Sequence, residues 1–370
     1  MQKLLFLWSL LLPFVLHAGP VESFLGEPSM ETVQVHKGGR FPNIVVAKDG
    51  SLLAVWTGVK LKRSTDGGKT WGEDIQIGKG FMGGGVVVNE NNGEVLAFVE
   101  ERHPPAPLTV YRSQDHGKTW APFDAKIHPD KEGREPSMHM NEHGLTLQRS
   151  KYKGRLIRPS RYYAGQNNRS KWPQHFTNAI YSDDNGKTWH SSGPFPANGT
   201  GEATIAELAD GTIYYNSRRH WAEEGANPRR RWTAISKDGG ETWTDLKFCE
   251  ALPDGPQNTD YGLMAGLTRL PLSCQDIMIY SSADSDTGRN TGTVWASFDG
   301  GKSWPVKRLI EPGRFAYSSL TSGRPNTATE GWVYLHYETS GGSKVAKFNF
   351  SWILKGESTG DGKIPEQFTK

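Results

Sequence analysis

Five stretches of this chain are written almost alike: "RSTDGGKTW" ending at Trp71, "RSQDHGKTW" at Trp120, "YSDDNGKTW" at Trp189, "ISKDGGETW" at Trp243 and "ASFDGGKSW" at Trp304. Their serines fall at 64, 113, 182, 236 and 297, so the steps are 49, 69, 54 and 61 residues. A repeat of this size with a turn signature in each unit predicts a propeller whose blades are small four-stranded sheets. Within the motif, Asp can accept from nearby backbone N–H groups and Gly adopts positive φ without strain. The Trp is expected to pack back across the hairpin. These residues read as rim scaffolding, and the chemistry is expected between the repeats.

The intervening segments support the same reading. "LTVYRS", "NAIYS", "WTAIS" and "GTVWAS" lead into four of the motifs as short β-rich runs. "NIVVAKDGSLLAVW", "GVVVNENNGEVLAFV" and "IAELADGTIYYNS" are paired runs with Asp-Gly or Asn-Gly at the turn, a strong hairpin signal. The expected fold is all-β, a six-bladed β-propeller in which one blade lacks its motif copy. Six blades of about 58 residues would use up the chain after its leader.

That leader is "MQKLLFLWSLLLPFVLHAGP": Lys3, an apolar run to about Leu16, then Ala18 and Gly19. It reads as a secretory signal over residues 1–18, followed by a single domain over 19–370, which predicts a secreted or periplasmic protein. No later apolar run reaches ~18 residues, so no membrane span is expected. A net charge of +3 without a basic run gives no argument for nucleic acid. An oxidising compartment would permit Cys249 and Cys274 to pair; the alternative is two buried small residues. No His or Cys cluster has metal-ligand spacing, so neither metal nor cofactor is expected.

Position by position, the chain resembles the exo-α-sialidase (neuraminidase) family of six-bladed propellers, whose repeated motif is the Asp box. "GGRFPNI" matches the family's Arg-Ile-Pro motif and brings in Arg40. "GTGEATIAELADGTIYYNSRR" matches its Asn-Glu-Ser motif and following arginine, giving Glu202 and Arg218, with Arg219 as the other register. "DTGRNTGTVWASFDGGKSW" supplies Arg289, "PGRFAYSSLT" supplies Tyr317, and "YLHYE" supplies Glu338 as a partner of Arg40. The segment "NEHGLTLQRSKYKGRLIRPSRYY" also resembles a strand pair of the family. The resemblance implies a secreted hydrolase releasing terminal sialic acid from glycans, with sialylated or other acidic glycans as partners.

Those residue types suit that chemistry. Sialic acid carries a carboxylate on its anomeric carbon, and three arginines (Arg40, Arg218, Arg289) can grip it through planar, permanently charged forks. A carboxylate nucleophile would crowd a second anion onto the same carbon. Tyr317 avoids that repulsion, and sialidases are known to use a Tyr nucleophile. A free phenol has a pKa of about 10, so it needs a base, and Glu202 is assigned that role.

One family feature is missing. The family places an Asp general acid in a loop before the first Asp box, whereas "TGVKLKR" between Trp56 and Ser64 holds no carboxylate. Substitutes expected from neighbouring inter-blade segments around the central cleft are Glu142, His139, His143, Glu100 and Glu101; His titrates near neutrality and could serve as the acid. Two further readings follow from the same gap. One is a hydrolase of a related 2-keto-3-deoxy sugar acid (Kdn- or Kdo-like), and the other is a non-catalytic propeller lectin for acidic glycans. A lectin would have no use for both Tyr317 and Glu202, which favours catalysis.

Overall fold

In the computed structural model, the described residues are 20–81, 84–223, 225–226, 228–255 and 262–369. The proposed signal segment therefore lies outside them. Six antiparallel-based sheets form the six blades of a β-propeller. Blade 1 runs Pro42–Val46, Leu52–Trp56, Lys60–Ser64 and Ile75–Gln76, and the next four blades follow in chain order. Blade 6 is Ser318–Ser322, Val333–Thr339 and Gly342–Phe348, with the early strand Met30–Lys37 added as its outer edge, antiparallel to Gly342–Phe348. The ring is thus closed by pairing the two ends of the chain, which leaves no broken seam between first and last blades.

This closure explains why there are five motifs for six blades. Each Asp box joins the third strand of a blade to its fourth: Ser64, Ser113, Ser182, Ser236 and Ser297 are all the last residues of third strands. In blade 6 the fourth strand comes from the beginning of the chain, so no such hairpin exists to be held. The turns are alike in detail. Asp66 Oδ1 accepts from Ser64 Oγ at 2.8 Å and from the N–H groups of Lys69 and Thr70 at 3.0 Å, and Gly68 N–H donates to Ser64 Oγ at 2.9 Å. Gly68 sits at φ +86°, and Gly186 and Gly301 at +86° and +84°, a region that favours glycine.

The motif Trp does more than pack on its own hairpin. Trp189 of blade 3 lies edge-on to Phe98 of blade 2, with centroids 5.2 Å apart, and Trp243 Nε1 donates to Ser192 Oγ at 3.0 Å across to the end of blade 3. Apolar clusters likewise straddle blade boundaries: Val45, Leu53 and Val55 of blade 1 pack with Val95, Ala97 and Val99 of blade 2. At about 1.5–3 kcal/mol for each fully buried aliphatic side chain, these inter-blade layers are what make the ring cooperative. The polar tail contributes as well, because Glu357–Ser358 adds a fifth strand to blade 5.

The cysteines do not pair, and the expectation of two buried residues also fails: Cys249 is half-buried and Cys274 exposed. Among the described residues, no helix is long and apolar enough to cross a membrane, and no group of His, Cys, Asp and Glu is arranged to hold a metal ion.

Candidate active site

Antiparallel order puts the start of the first strand, the end of the second and the start of the third at one end of every blade. The Asp boxes lie at the other end. Five predicted site residues occupy those three kinds of position. Arg40 precedes Pro42–Val46, Glu202 precedes Ala203–Glu207, and Tyr317 precedes Ser318–Ser322, each a first strand. Arg218 follows the second strand Ile213–Ser217, and Arg289 precedes the third strand Asn290–Ser297. Chain topology alone therefore brings residues from four blades to one mouth.

The side chains meet there. Tyr317 Oη donates to Glu202 Oε1 at 2.6 Å, and Arg218 Nη1 donates to Glu202 Oε2 at 2.8 Å. The guanidinium groups of Arg40 and Arg289 stand 4.9 and 4.8 Å from the centroid of the Tyr317 ring. Arg40 remains 43% exposed at the rim, whereas Glu202, Arg218 and Tyr317 are buried. Arg219, the alternative register, turns away to the carbonyls of Asn198 and Ala226.

Glu338 holds this arrangement from below. Its backbone N–H donates to Tyr317 O at 2.9 Å, making the two cross-strand neighbours. Its carboxylate accepts from Phe41 N–H at 2.8 Å and lies 3.4 Å from Arg40 Nε. Phe41 adopts φ +68°, a left-handed conformation unusual for a bulky residue that precedes a proline. The Phe41–Glu338 bond offsets that strain and aims Arg40 over Tyr317.

Proton positions follow from the charges. Burial alone would raise the Glu202 carboxyl, but Arg218, the Tyr317 hydroxyl and Arg289 outweigh it and hold it below the ordinary range. Burial, together with the Glu202 charge, pushes the Tyr317 phenol up to about 12. At neutral pH the pair is a carboxylate accepting from an intact phenol.

The substitutes read from sequence for the missing acid do not come into the site. Glu142 is fully buried and accepts from Asn43 Nδ2 at 2.9 Å, Leu320 N–H at 3.0 Å and His143 N–H at 3.2 Å. It is a tie between blades 1 and 6. His143 Nε2 donates to Leu320 O at 2.9 Å, and Glu100 accepts from Ser137 Oγ and Met138 N–H. His139 is buried behind Phe41, Phe81 and His103, and Glu101 is exposed on the surface near Arg102. None of the five lines the cleft beside Tyr317.

The sequence singled out only part of what does line it. A cleft of about 150 Å³ is bounded by Tyr317, Glu202, Arg218 and Arg289, and on its far wall by His103, Arg161, Tyr163, Trp172, His175, His220 and Trp221. Arg161 had one visible signal: it lies in "LIRPSRYY", a strand too apolar and aromatic to spend two arginines without reason. His103 sits in "EERHPP", which has the composition of a solvated loop.

Residues 50–329 match the BNR repeat-like domain family. The chain belongs to the sialidase family. It is 30% identical over 354 residues to a sialidase of Micromonospora viridifaciens, covering 85% of this chain and 52% of that protein. It is 27% identical to a sialidase of Bacteroides fragilis, covering 76% of this chain and 57% of that one. The chain thus spans about half the length of these curated relatives. Among solved structures, the Hadza microbial sialidase Hz136 superposes with a TM-score of 0.67 at 23% identity, over 85% of this chain and 66% of that one. The intramolecular trans-sialidase of Ruminococcus gnavus superposes with a TM-score of 0.63 at 15% identity, over 85% of this chain and 95% of that one. At these identities the two structures speak for the fold of this sialidase-family chain.

Proposed function

We propose that this chain is an exported exo-α-sialidase that releases terminal sialic acids from glycoconjugates with retention, with residues 1–18 as its export signal and 19–370 as one catalytic domain. The observation that carries the reading is the contact of Tyr317 Oη with Glu202 Oε1 at 2.6 Å beneath two guanidinium groups stacked on the same ring. Arg40, Arg218 and Arg289 grip the substrate carboxylate, and this fixes the anomeric carbon over Tyr317. The phenol attacks as its proton passes to Glu202. Keeping the phenol protonated until attack avoids a phenolate facing the substrate carboxylate, and the transfer coincides with bond formation. Water then cleaves the Tyr317–sugar bond from the face vacated by the leaving group.

A natural alcohol leaving group needs a proton, and in this reading His103 delivers it. It lines the cleft, is exposed, and its Nδ1–H donates to Pro104 O at 2.9 Å, which turns Nε2 to the other side of the ring. His175 and His220 line the cleft too, but burial and nearby arginines drive both well below neutrality, His175 to about 4.

The test is hydrolysis of an aryl α-sialoside, whose phenolate-like leaving group scarcely needs an acid. Turnover that disappears in Tyr317→Phe supports the proposal. Binding of sialosides without any turnover would place the chain among lectins instead.

A further inference from the structure

The far wall of the cleft carries polar atoms that no group among the described residues satisfies. Arg161 Nε and Nη1, Tyr163 Oη, His175 Nδ1 and His220 Nδ1 are all buried without a hydrogen-bond partner. Each belongs to a side chain more than nine-tenths buried, and all four side chains face the same cleft. Buried polar groups are almost always satisfied, so several unmet ones in a single cavity point to a ligand that completes them.

Charge accounting says what kind of ligand. Of the clamp arginines, Arg40 is matched by Glu338 and Arg218 by Glu202, whereas Arg289 and the cleft-lining Arg161 have no carboxylate within ion-pair distance among the described residues. A substrate carboxylate held by Arg40, Arg218 and Arg289 answers Arg289 and leaves Arg161 unmatched. The Arg161 guanidinium lies over the Tyr163 ring, 4.4 Å from its centroid, and its Nε and Nη1 have no hydrogen-bond partner among the described residues. Glu100, an acid close enough to feel Arg161, spends Oε1 on Ser137 Oγ and Met138 N–H and makes no ion pair with it. His175 donates Nε2–H to Ala164 O at 3.3 Å, so its Nδ1 is an acceptor, suited to a sugar hydroxyl.

We propose that Arg161 and Tyr163 form a second oxyanion subsite, with His175 taking an adjacent hydroxyl, so that the preferred substrate is a sialoside bearing a sulfate ester in addition to its anomeric carboxylate. This rests on the sialidase reading of the cleft. Charge-assisted bonds from a desolvated guanidinium are strong enough to make the discrimination at least about tenfold.

Two measurements test it, on wild type and Arg161→Met. The first is melting temperature with and without inorganic sulfate, against chloride at equal ionic strength. The arginine clamp's own affinity for sulfate is common to both proteins, so their difference reports Arg161. The proposal expects Arg161→Met to melt at or above wild type without sulfate, because an unmatched buried charge is gone, and to lose most of the sulfate-induced rise. A lower melting temperature with an unchanged sulfate response would make Arg161 merely structural and overturn the proposal. The second compares kcat/KM for an aryl sialoside and its sulfate ester on the exocyclic chain. Wild type is expected to prefer the sulfated compound at least tenfold, with the preference vanishing in Arg161→Met. Hydrolysis of the plain sialoside with no preference would sink the subsite and leave the hydrolase standing. An Arg161-dependent sulfate response with no turnover of either compound would do the reverse.

Discussion

Glu202 stands between Tyr317 and Arg218, accepting from the phenol at 2.6 Å through one oxygen and from the guanidinium at 2.8 Å through the other. The same carboxylate is therefore both the proposed base and the counter-charge of a buried arginine. Glu202→Gln should lower kcat on an aryl sialoside by about 10²–10⁴. It should also destabilise the fold by about 3–5 kcal/mol, since Arg218 is left charged and buried. Steady-state kinetics and a denaturant titration read the two effects, and loss of one without the other would separate roles assigned here to a single group.

Glu338 is expected to act through Arg40 and Phe41, without touching substrate. Glu338→Ala releases the Phe41 N–H and the Arg40 Nε contact. The expected result is a KM raised about tenfold with kcat changed far less, as for loss of uniform binding. Loss confined to kcat would contradict the positioning role.

His103 supplies a pH prediction. Burial and then Arg161 lower its pKa below the ordinary imidazole value, with the Pro104 carbonyl opposing. An acid must be protonated to work, so turnover of a natural sialyl-galactoside should decline as pH rises toward neutrality while turnover of the aryl compound does not. In His103→Gln the natural substrate should lose about 10²-fold or more and the aryl substrate little. Equal losses on both substrates would remove His103 from the mechanism.

Buried histidines should make the fold acid-labile. Desolvation lowers His36, His143 and His175 to about 4 and His336 to about 3. In the unfolded chain each titrates near about 6.5, so between these values the unfolded state binds more protons and stability rises with pH. Opposing them are Glu100 at about 7, Glu142 at about 8 and Asp254 at about 6, all raised by burial, whose folded forms hold protons and favour low pH. The histidines outnumber the acids over the acidic range. Melting temperature is expected to fall steadily from about pH 6.5 to 4; a melting temperature that rises over that range would refute the assignment.

The Asp boxes should affect stability alone. Asp238 Oδ1 accepts from the N–H groups of Glu241 and Thr242, each at 3.0 Å. Asp238→Ala should cost about 1–3 kcal/mol for the unmet donors and leave kcat unchanged. A fall in kcat measured well below the melting temperature would link the rim to the site.

The propeller was readable because its signals are local: an eight-residue turn and two-residue hairpin loops repeat regardless of what surrounds them. Arg40, Glu202, Arg218, Arg289 and Tyr317 came from the family resemblance, whose short motifs stand intact in the sequence, and the structure brings all five to one mouth. Glu142 was misleading for the opposite reason. Its partners Asn43 and Leu320 are 99 and 178 residues away, and nothing in "MNEHGL" shows that the carboxylate would be a knot between blades. Arg161 and His103 reach the cleft from blade 3 and from a blade 2 loop, a meeting that depends on the ring's closure. The unpaired state of Cys249 and Cys274 is likewise something their spacing in the chain does not encode.

The most direct test of the central claim is mass spectrometry of enzyme quenched in acid during turnover of a slow, fluorinated aryl sialoside. The account predicts a glycosyl adduct on the peptide containing Tyr317, absent when that residue is phenylalanine. Efficient turnover with no adduct, or an adduct on any other residue, would contradict it.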